Sequence, residues 1–295
     1  MKFNRLIFLL AALFLCSCSN KRKLDNDYLD KENLQMIEEI NSIAKDTFNK
    51  GEDIVNNINI VNESKPVYKT DRRDDLIKNL EDPAKKDPKA KWVHDNFKNL
   101  TDTEAYLTGN DPDTVEFVYN MNHNIKDFPY KEGESIKLNR STPYYIQWDN
   151  RWAYQELSDI NIGVAGCGPT SMAMVLARLK NDPSITPKII GEDAKEYMVE
   201  EGIAWSFFAD EASKYGLKCE DLEKDKQKMI EALKEGPLIV SVERGYFTLA
   251  GHIFVIDSYK DGKFIINDPN SIKNTMREWD YEQIQDQIVH VWKFS

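Results

Sequence analysis

The stretch from Gly163 to Leu179 (GVAGCGPTSMAMVLARL) constrains the fold more than any other part of the chain. Its apolar residues recur at the spacing of one helix face, and Asn-Asp-Pro at 181–183 ends that pattern. Pro169 is suited to the first turn of a helix. The sequence therefore predicts a helix that begins at Cys167, directly after a glycine-rich turn.

Cys167 stands where a thiol can become reactive. The free amides and the dipole at a helix N-terminus favour an anion, and the thiolate is the nucleophilic form of cysteine. We expect the flanking Gly166 and Gly168 to remove side chains that would block a substrate. The alternative is a structural cysteine in a tight turn.

A nucleophilic thiol needs a proton carrier, and His252 is the best candidate among the four histidines. It follows Gly251 and opens the predicted strand IFVIDSY, where a side chain can reach into a cleft. The other histidines fall in a polar helical region, a loop and the C-terminal segment: His94, His123 and His290. A hydrogen-bonded structural histidine is the alternative for His252.

Either Asn267 or Asp268, where the next predicted strand ends, would orient the imidazole. A two-residue turn between the two strands would put Asn267 on the face of His252. A three-residue loop at 260–262, with a left-handed Gly262, would instead put Asp268 on that face, diagonal to the histidine. The residues alone permit both loops, so the choice stays open at this point.

The chain divides into four predicted regions. A basic start and the apolar run Leu6–Leu15 form a secretory signal, over residues 1–17. Residues 18–35 are a polar tether, and residues 36–140 are a helical region with little core of its own. Residues 141–295 are a domain in which predicted helices precede an antiparallel sheet, which predicts an α+β fold.

Three helices and three strands are expected in the C-terminal domain. After the helix at Cys167, the patterns predict helices at Ser206–Tyr215 and Lys226–Glu235. The predicted strands are Leu238–Glu243, His252–Tyr259 and Lys263–Asn267.

Several classes of function are disfavoured by composition and spacing. A net charge of −11 argues against a nucleic-acid partner. Neither a zinc-type cluster of cysteines and histidines nor a phosphate-binding glycine loop is present in the sequence, so we expect no metal and no cofactor. Cys219 is interpreted as a core or surface residue, although one disulfide with Cys167 stays open.

The end of the signal, Leu15-Cys-Ser-Cys18, resembles the lipobox of bacterial lipoproteins. The resemblance implies cleavage before Cys18, lipidation of that cysteine and an extracytoplasmic protein anchored to the cell membrane. An ordinary signal peptide that is cut nearby is the alternative.

Residues 141–295 resemble the peptidase C39-like family of the papain-type cysteine peptidase superfamily. Four motifs in order carry this resemblance: YYIQWDNRW at 144–152, GCGPTS at 166–171, GHIFVI at 251–256 and INDPNS at 266–271. The family implies a papain-like fold, in which the catalytic cysteine begins a helix packed on an antiparallel sheet.

The resemblance also implies a role for each candidate. Cys167 would attack a carbonyl carbon, His252 would carry the proton, and Asp268 would fix the imidazole, which favours the three-residue loop. Gln147, 20 residues before the cysteine, would donate to the oxyanion. Gly166, Gly251 and Trp205 are weaker candidates for a substrate groove, with aromatic core packing the alternative for the tryptophan.

The leading hypothesis is a lipid-anchored extracytoplasmic cysteine peptidase that cuts amide bonds in a peptide. Hydrolysis of peptidoglycan amides, or acyl transfer to an amine, would use the same residues. A lipoprotein that binds a partner without catalysis is the rival from another class. The oligomeric state is left open.

Overall fold

The computed structural model describes residues 65–200 and 202–295. The predicted signal, Cys18, the tether and the first part of the helical region lie outside the described residues. No helix in the described ranges is long and apolar enough to cross a membrane.

Five helices lie between residues 73 and 122, in the described part of the chain before the C-terminal domain. They are α1 (Arg73–Asn79), α2 (Glu81–Lys86), α3 (Pro88–Asp95), α4 (Asp102–Asn110) and α5 (Val115–Asn122). Short 3-10 turns at Phe97–Asn99 and Pro112–Thr114 lead into α4 and α5 respectively. Thr101 and Glu104 form a reciprocal capping box that begins α4.

These helices have a core of their own, contrary to the prediction. Buried side chains from all of them except α2 pack together: Leu76, Leu80, Ala90, Val93, Phe97, Leu100, Ala105, Val115, Phe117 and Val118. Ala153 of the C-terminal domain joins the same cluster. The region was misjudged because its helices are short, so each shows only two or three apolar residues between charged ones.

The C-terminal domain begins with two short two-stranded ribbons and a group of helices. In the first ribbon, β1 (Glu156–Leu157) pairs with β2 (Ile160–Asn161). In the second, β3 (Met198–Val199) pairs with β4 (Gly202–Ile203). The helices are α6 (Ile162–Ala165), α7 (Cys167–Lys180), α8 (Pro187–Ala194), α9 (Ser206–Lys214) and α10 (Lys226–Ala232). As predicted, α7 begins at Cys167, and it ends at the left-handed Asn181.

A six-stranded antiparallel sheet follows, in the order β5-β10-β6-β7-β8-β9. Its strands are β5 (Cys219–Leu222), β6 (Leu238–Val242), β7 (His252–Lys260), β8 (Lys263–Asn267), β9 (Glu278–Trp279) and β10 (Ile288–Phe294). The short helices α11 (Ile272–Met276) and α12 (Tyr281–Ile284) lie between the last strands. Three of the six strands were predicted, and the C-terminal segment proves to pair with β6 near the centre of the sheet.

The sheet is buried on both faces. Ile253 and Val255 of β7 pack in the cluster that contains α7, while Phe254 and Ile256 pack in the cluster that contains α10 and α12. Successive side chains of a strand point to opposite faces. The predicted α+β fold, with Cys167 at the start of a helix packed on an antiparallel sheet, is confirmed.

The hairpin between β7 and β8 differs from the loop that was favoured. Lys260 pairs with Lys263, so the turn has two residues, Asp261 and Gly262, both at positive φ. The pairing then shifts by one residue between Ser258 and Ile256. This β-bulge at position 257 gives the register that a three-residue loop would have given.

Candidate active site

Cys167 is the first residue of α7 and lines an open cavity of about 380 Å³. Its neighbours Gly166 and Gly168, which were expected to clear access for a substrate, do not line that cavity. A Cβ on Gly166 would lie 2.4 Å from the main-chain oxygen of Ile162, and one on Gly168 would lie 2.8 Å from Ile203 Cγ2. Both glycines therefore allow close packing of the turn that carries the thiol.

His252 begins β7 and is buried beside Cys167. Its Nε2 lies 2.7 Å from Asp268 Oδ1, which leaves Nδ1 as the ring nitrogen that can serve the thiol. Burial alone lowers the pKa of His252. The charge and hydrogen bond of Asp268, together with contact with Cys167, outweigh burial and raise that pKa to about 10.

Asp268 is fully buried and has a hydrogen-bond donor at each oxygen. Oδ1 also accepts from the Asn270 amide at 2.9 Å, and Oδ2 accepts from Asn274 Nδ2 at 2.9 Å. Burial raises the pKa of this carboxyl, but His252, Asn274 and the charge of Lys69 lower it below its ordinary value. The carboxylate is therefore held ionised against the imidazole.

Asn267 is turned away from the histidine by the bulge. Its Nδ2 donates to the main-chain oxygen of Thr142 at 3.2 Å, and its Oδ1 accepts from Arg140 at 2.6 Å. The bulge residue Asp257 is itself buried and accepts from the Thr142 amide at 2.7 Å. The bulge thus decides which of the two candidate side chains meets the imidazole.

Asn274 is a residue of this site that the sequence did not reveal. It lies in α11, buried behind Asp268, and its main-chain oxygen accepts from Trp279 Nε1 at 3.0 Å. Ser271 caps the same helix by accepting from the Asn274 amide at 3.3 Å. An asparagine in a short helix after Asp-Pro-Asn carries no signal that separates it from a surface residue.

Gln147 lines the same cavity as Cys167 and is buried. Its Nε2 donates to the main-chain oxygens of Gly163 at 3.0 Å and Val164 at 3.2 Å. Its Oε1 has no hydrogen-bond partner. Gln147 and Cys167 therefore share the cavity, and the amide nitrogen of Gln147 donates to two main-chain carbonyl groups.

Of the candidates for a substrate groove, Gly251 lines the cavity and Trp205 does not. Gly251 lines the cavity, and a Cβ there would meet no atom within 4 Å. Trp205 does not line it: its ring packs 4.8 Å from His290 and 5.4 Å from Trp292, centroid to centroid, and remains 46% exposed.

The second thiol, Cys219, lies in a strand and not at a helix N-terminus. Cys219 begins β5, an edge strand, and burial with the charges of Asp221 and Glu220 raises its pKa to about 12. Both cysteines in the described part of the chain are free, so they form no disulfide with each other. Over those same residues, no group of histidine, cysteine and acidic side chains is arranged to hold a metal ion.

Comparisons with known proteins point to one family. The model of the Peptidase_C39 like family matches residues 140–294. No curated protein matches the chain.

The solved structures that match share little sequence with this chain. The peptidase domain of Streptococcus ComA, a bi-functional ABC transporter involved in quorum sensing, is 19% identical over 48% of this chain and 96% of that one, with a TM-score of 0.35. A double glycine motif protease from an AMS/PCAT transporter, in complex with a leader peptide, is 20% identical (56% and 97% covered, TM-score 0.34). A protein described as a C39-like peptidase from Bacillus anthracis is 15% identical (56% and 98%, TM-score 0.35).

Proposed function

Because the chain belongs to the Peptidase_C39-like family, we propose that it is a cysteine peptidase that hydrolyses amide bonds with Cys167, His252 and Asp268. One observation carries this proposal. The buried, hydrogen-bonded His252–Asp268 pair lies beside a thiol at a helix N-terminus, and that thiol opens to a cavity. A protein that only binds a partner has no evident need for such a set.

The raised pKa of His252 supports a thiolate–imidazolium pair as the resting state. The Cys167 thiolate attacks the carbonyl carbon, the carbonyl π bond breaks, and the oxygen takes the electron pair as an oxyanion. As the intermediate collapses, the amide C–N bond breaks and His252 gives its proton to the leaving amine. Water, deprotonated by the now neutral imidazole, then attacks the thioester and releases the acid and the thiolate.

Asp268 keeps the imidazole in one orientation throughout, because Asn270 and Asn274 fix its two oxygens. The Cys167 amide is one of the helix-terminal N–H groups that lack a partner within the helix, so it is suited to the oxyanion. Gln147 becomes the second donor when one of its Nε2 hydrogens turns from the carbonyl of Val164 toward the substrate oxygen.

We extend the proposal to location on the basis of residues 1–18. Lipidation of Cys18 would hold the enzyme at the outer side of the cell membrane and make peptides there its substrates. Replacing Cys18 by alanine should move the protein from the membrane fraction to the soluble fraction, and the mass of the N-terminal peptide should lose its acyl chains. An unmodified N-terminal peptide in the wild-type protein would contradict this extension.

Hydrolysis is tested with the full chain, purified in detergent, and a mixture of peptides of known sequence in H₂¹⁸O. A peptidase generates new C-termini that carry ¹⁸O, and mass spectrometry identifies each cleaved bond. Cys167→Ser is the control and should leave the mixture intact. Cleavage that persists in Cys167→Ser, or none in the wild-type protein, would contradict the proposed function.

A further inference from the structure

We propose that helix α4, which lies outside the family match, selects the substrate by holding an apolar side chain in the active-site cavity. The inference rests on the proposed function, because it concerns the same cavity. The family match begins at residue 140, whereas α4 spans Asp102–Asn110. The family fold therefore provides the candidate catalytic residues, and a separate helix provides one wall of their cavity.

One face of α4 forms this wall. Four of its residues line the cavity that contains Cys167: Thr103, Tyr106, Leu107 and Asn110. Their spacing of three, four and seven residues is that of a single helix face. The opposite face, with Ala105, Thr108 and Gly109, is buried in the helical region. Tyr106 and Leu107 are half-buried and so keep apolar surface available to a ligand.

The helix is fixed in place rather than loosely attached. Gly109 allows a close approach to Leu76 of α1, where a Cβ would lie 2.5 Å from the leucine Cβ. At the C-terminal end of α4, Asp111 pairs with Lys69 and accepts from Ser271 Oγ at 2.6 Å. Ser271 caps the helix that carries Asn274, so the wall is connected to the segment behind Asp268.

The remaining walls contribute further apolar side chains beside polar ones. Leu249 and Phe247 come from the loop between β6 and β7, and Val164 and Ala165 come from α6. Of the charged side chains that line the cavity besides His252, Lys69 and Asp111 form an ion pair with each other, and Glu200 is an exposed anion. The cavity therefore offers contact to an apolar side chain and no unpaired cation to an acidic one.

The probes are dipeptidyl vinyl sulfones with leucine, glycine or glutamate at either position, and iodoacetamide serves as a reagent without a side chain. Labelling of Cys167 in the full chain is followed by mass spectrometry. We expect the best leucine probe to react about tenfold faster than its glycine counterpart, since one apolar side chain gives about this discrimination. The glutamate probe should be no faster than the glycine probe.

Two variants of the wall test its part in that preference. Leu107→Ser and Tyr106→Ala should each reduce the leucine-to-glycine ratio at least threefold. The ratio compares two probes on the same variant, so a change in the reactivity of Cys167 itself cancels. Ile77→Ser is the matched control, because Ile77 is another half-buried aliphatic residue of the helical cluster that does not line the cavity. Ile77→Ser should keep the leucine-to-glycine ratio of the wild-type protein.

A leucine-to-glycine ratio near one in the wild-type protein, or a ratio that neither wall variant changes, would overturn the inference and leave the proposed function standing. A ratio that Ile77→Ser reduces equally would overturn it too, since the effect would then come from loss of stability. If iodoacetamide labels Cys167 no faster than Cys219 in the wild-type protein, the proposed function fails, and the inference fails with it.

Discussion

Cys167 and Cys219 are both free, partly buried thiols of one domain, yet their surroundings differ in charge. Cys167 begins a helix and contacts His252, whose pKa is raised to about 10. Cys219 lies on an edge strand, followed by two acidic residues, and burial together with the charges of Asp221 and Glu220 raises its pKa to about 12. Both thiols are partly buried, and they differ in the neighbouring group, a buried imidazole beside Cys167 and two carboxylates beside Cys219. A cation beside a thiol favours the thiolate, whereas burial and like charges favour the neutral thiol.

The largest expected effect comes from removing the cation beside Cys167. In His252→Ala the thiolate loses its partner, so alkylation of Cys167 by iodoacetamide at pH 6 should fall about a hundredfold, toward that of a thiol with a pKa of about 8.5. Rates at both cysteines are measured by mass spectrometry of the same samples. Cys219 should keep its wild-type rate, and a parallel loss at both thiols would indicate a change in folding instead.

Asp268→Asn should reduce Cys167 alkylation at pH 6 by about tenfold, because the buried imidazolium loses its counter-charge. The variant should also change how stability depends on pH. The raised pKa of His252 stabilises the fold below its ordinary value of 6.5, and this contribution is lost as pH rises through about 10. The lowered pKa of Asp268 stabilises the fold above its ordinary 3.8, and this contribution is lost as pH falls below that value.

Thermal melts at a series of pH values measure how the stability of Asp268→Asn depends on pH. The difference in Tm between wild-type protein and Asp268→Asn should be largest between about pH 4 and 6.5, and it should shrink toward pH 10. A difference that does not vary with pH would show that the variant loses packing only.

A smaller effect is expected at Asn274, which touches Asp268 and not the thiol. In Asn274→Ala, Asp268 loses one of its hydrogen bonds, worth about 1–3 kcal/mol when donated to a charged group, and Cys167 alkylation at pH 6 should fall severalfold. A purely structural role would lower Tm and leave the pH profile of alkylation unchanged. Asn274→Leu is a matched variant that keeps the approximate shape and removes the donor without adding a charge.

The smallest effect is expected at the second thiol. The double variant Glu220→Gln, Asp221→Asn removes the like charges, and Cys219 alkylation at pH 8.5 should rise by about two- to threefold, since exposed charges act weakly. Burial remains as the main cause of its raised pKa. A large increase would mean that charge, rather than burial, protects this thiol, and Cys167 should be unaffected in either case.

The position of Cys167 and the strand that begins at His252 were predictable because each depends on a local pattern. A proline in the first turn and a left-handed stop at Asn181 bound the helix, and a continuous apolar run marks a strand that is buried on both faces. The signals that begin and end this helix lie within the same continuous stretch of the chain, so the local sequence is sufficient to predict it.

The partner of the histidine was not predictable from pairing alone. A two-residue turn would place Asn267 on the face of His252, and only the bulge at Asp257 brings Asp268 there instead. The bulge residue is held by Thr142 and Arg178, which are distant in the chain. Motif resemblance pointed to Asp268, but the three-residue loop inferred from it was wrong.

Contacts between distant segments explain the other omissions. Gly168 packs against Ile203, which lies 35 residues later in the chain, and this contact cannot be read from the glycine itself. The wall formed by α4 has the same origin, because no local pattern shows that a helix 60 residues before Cys167 lines its cavity.

The central claim is tested most directly by the rate of iodoacetamide labelling at Cys167 and Cys219 in the wild-type full chain, measured from pH 5 to pH 10. The account predicts that Cys167 is labelled at pH 6 at least about a hundredfold faster than Cys219, as expected for a thiolate beside a thiol. It also predicts that the Cys219 rate rises only at the alkaline end. Parallel profiles at both cysteines, each rising near pH 8.5, would contradict the thiolate–imidazolium pair and the peptidase function built on it.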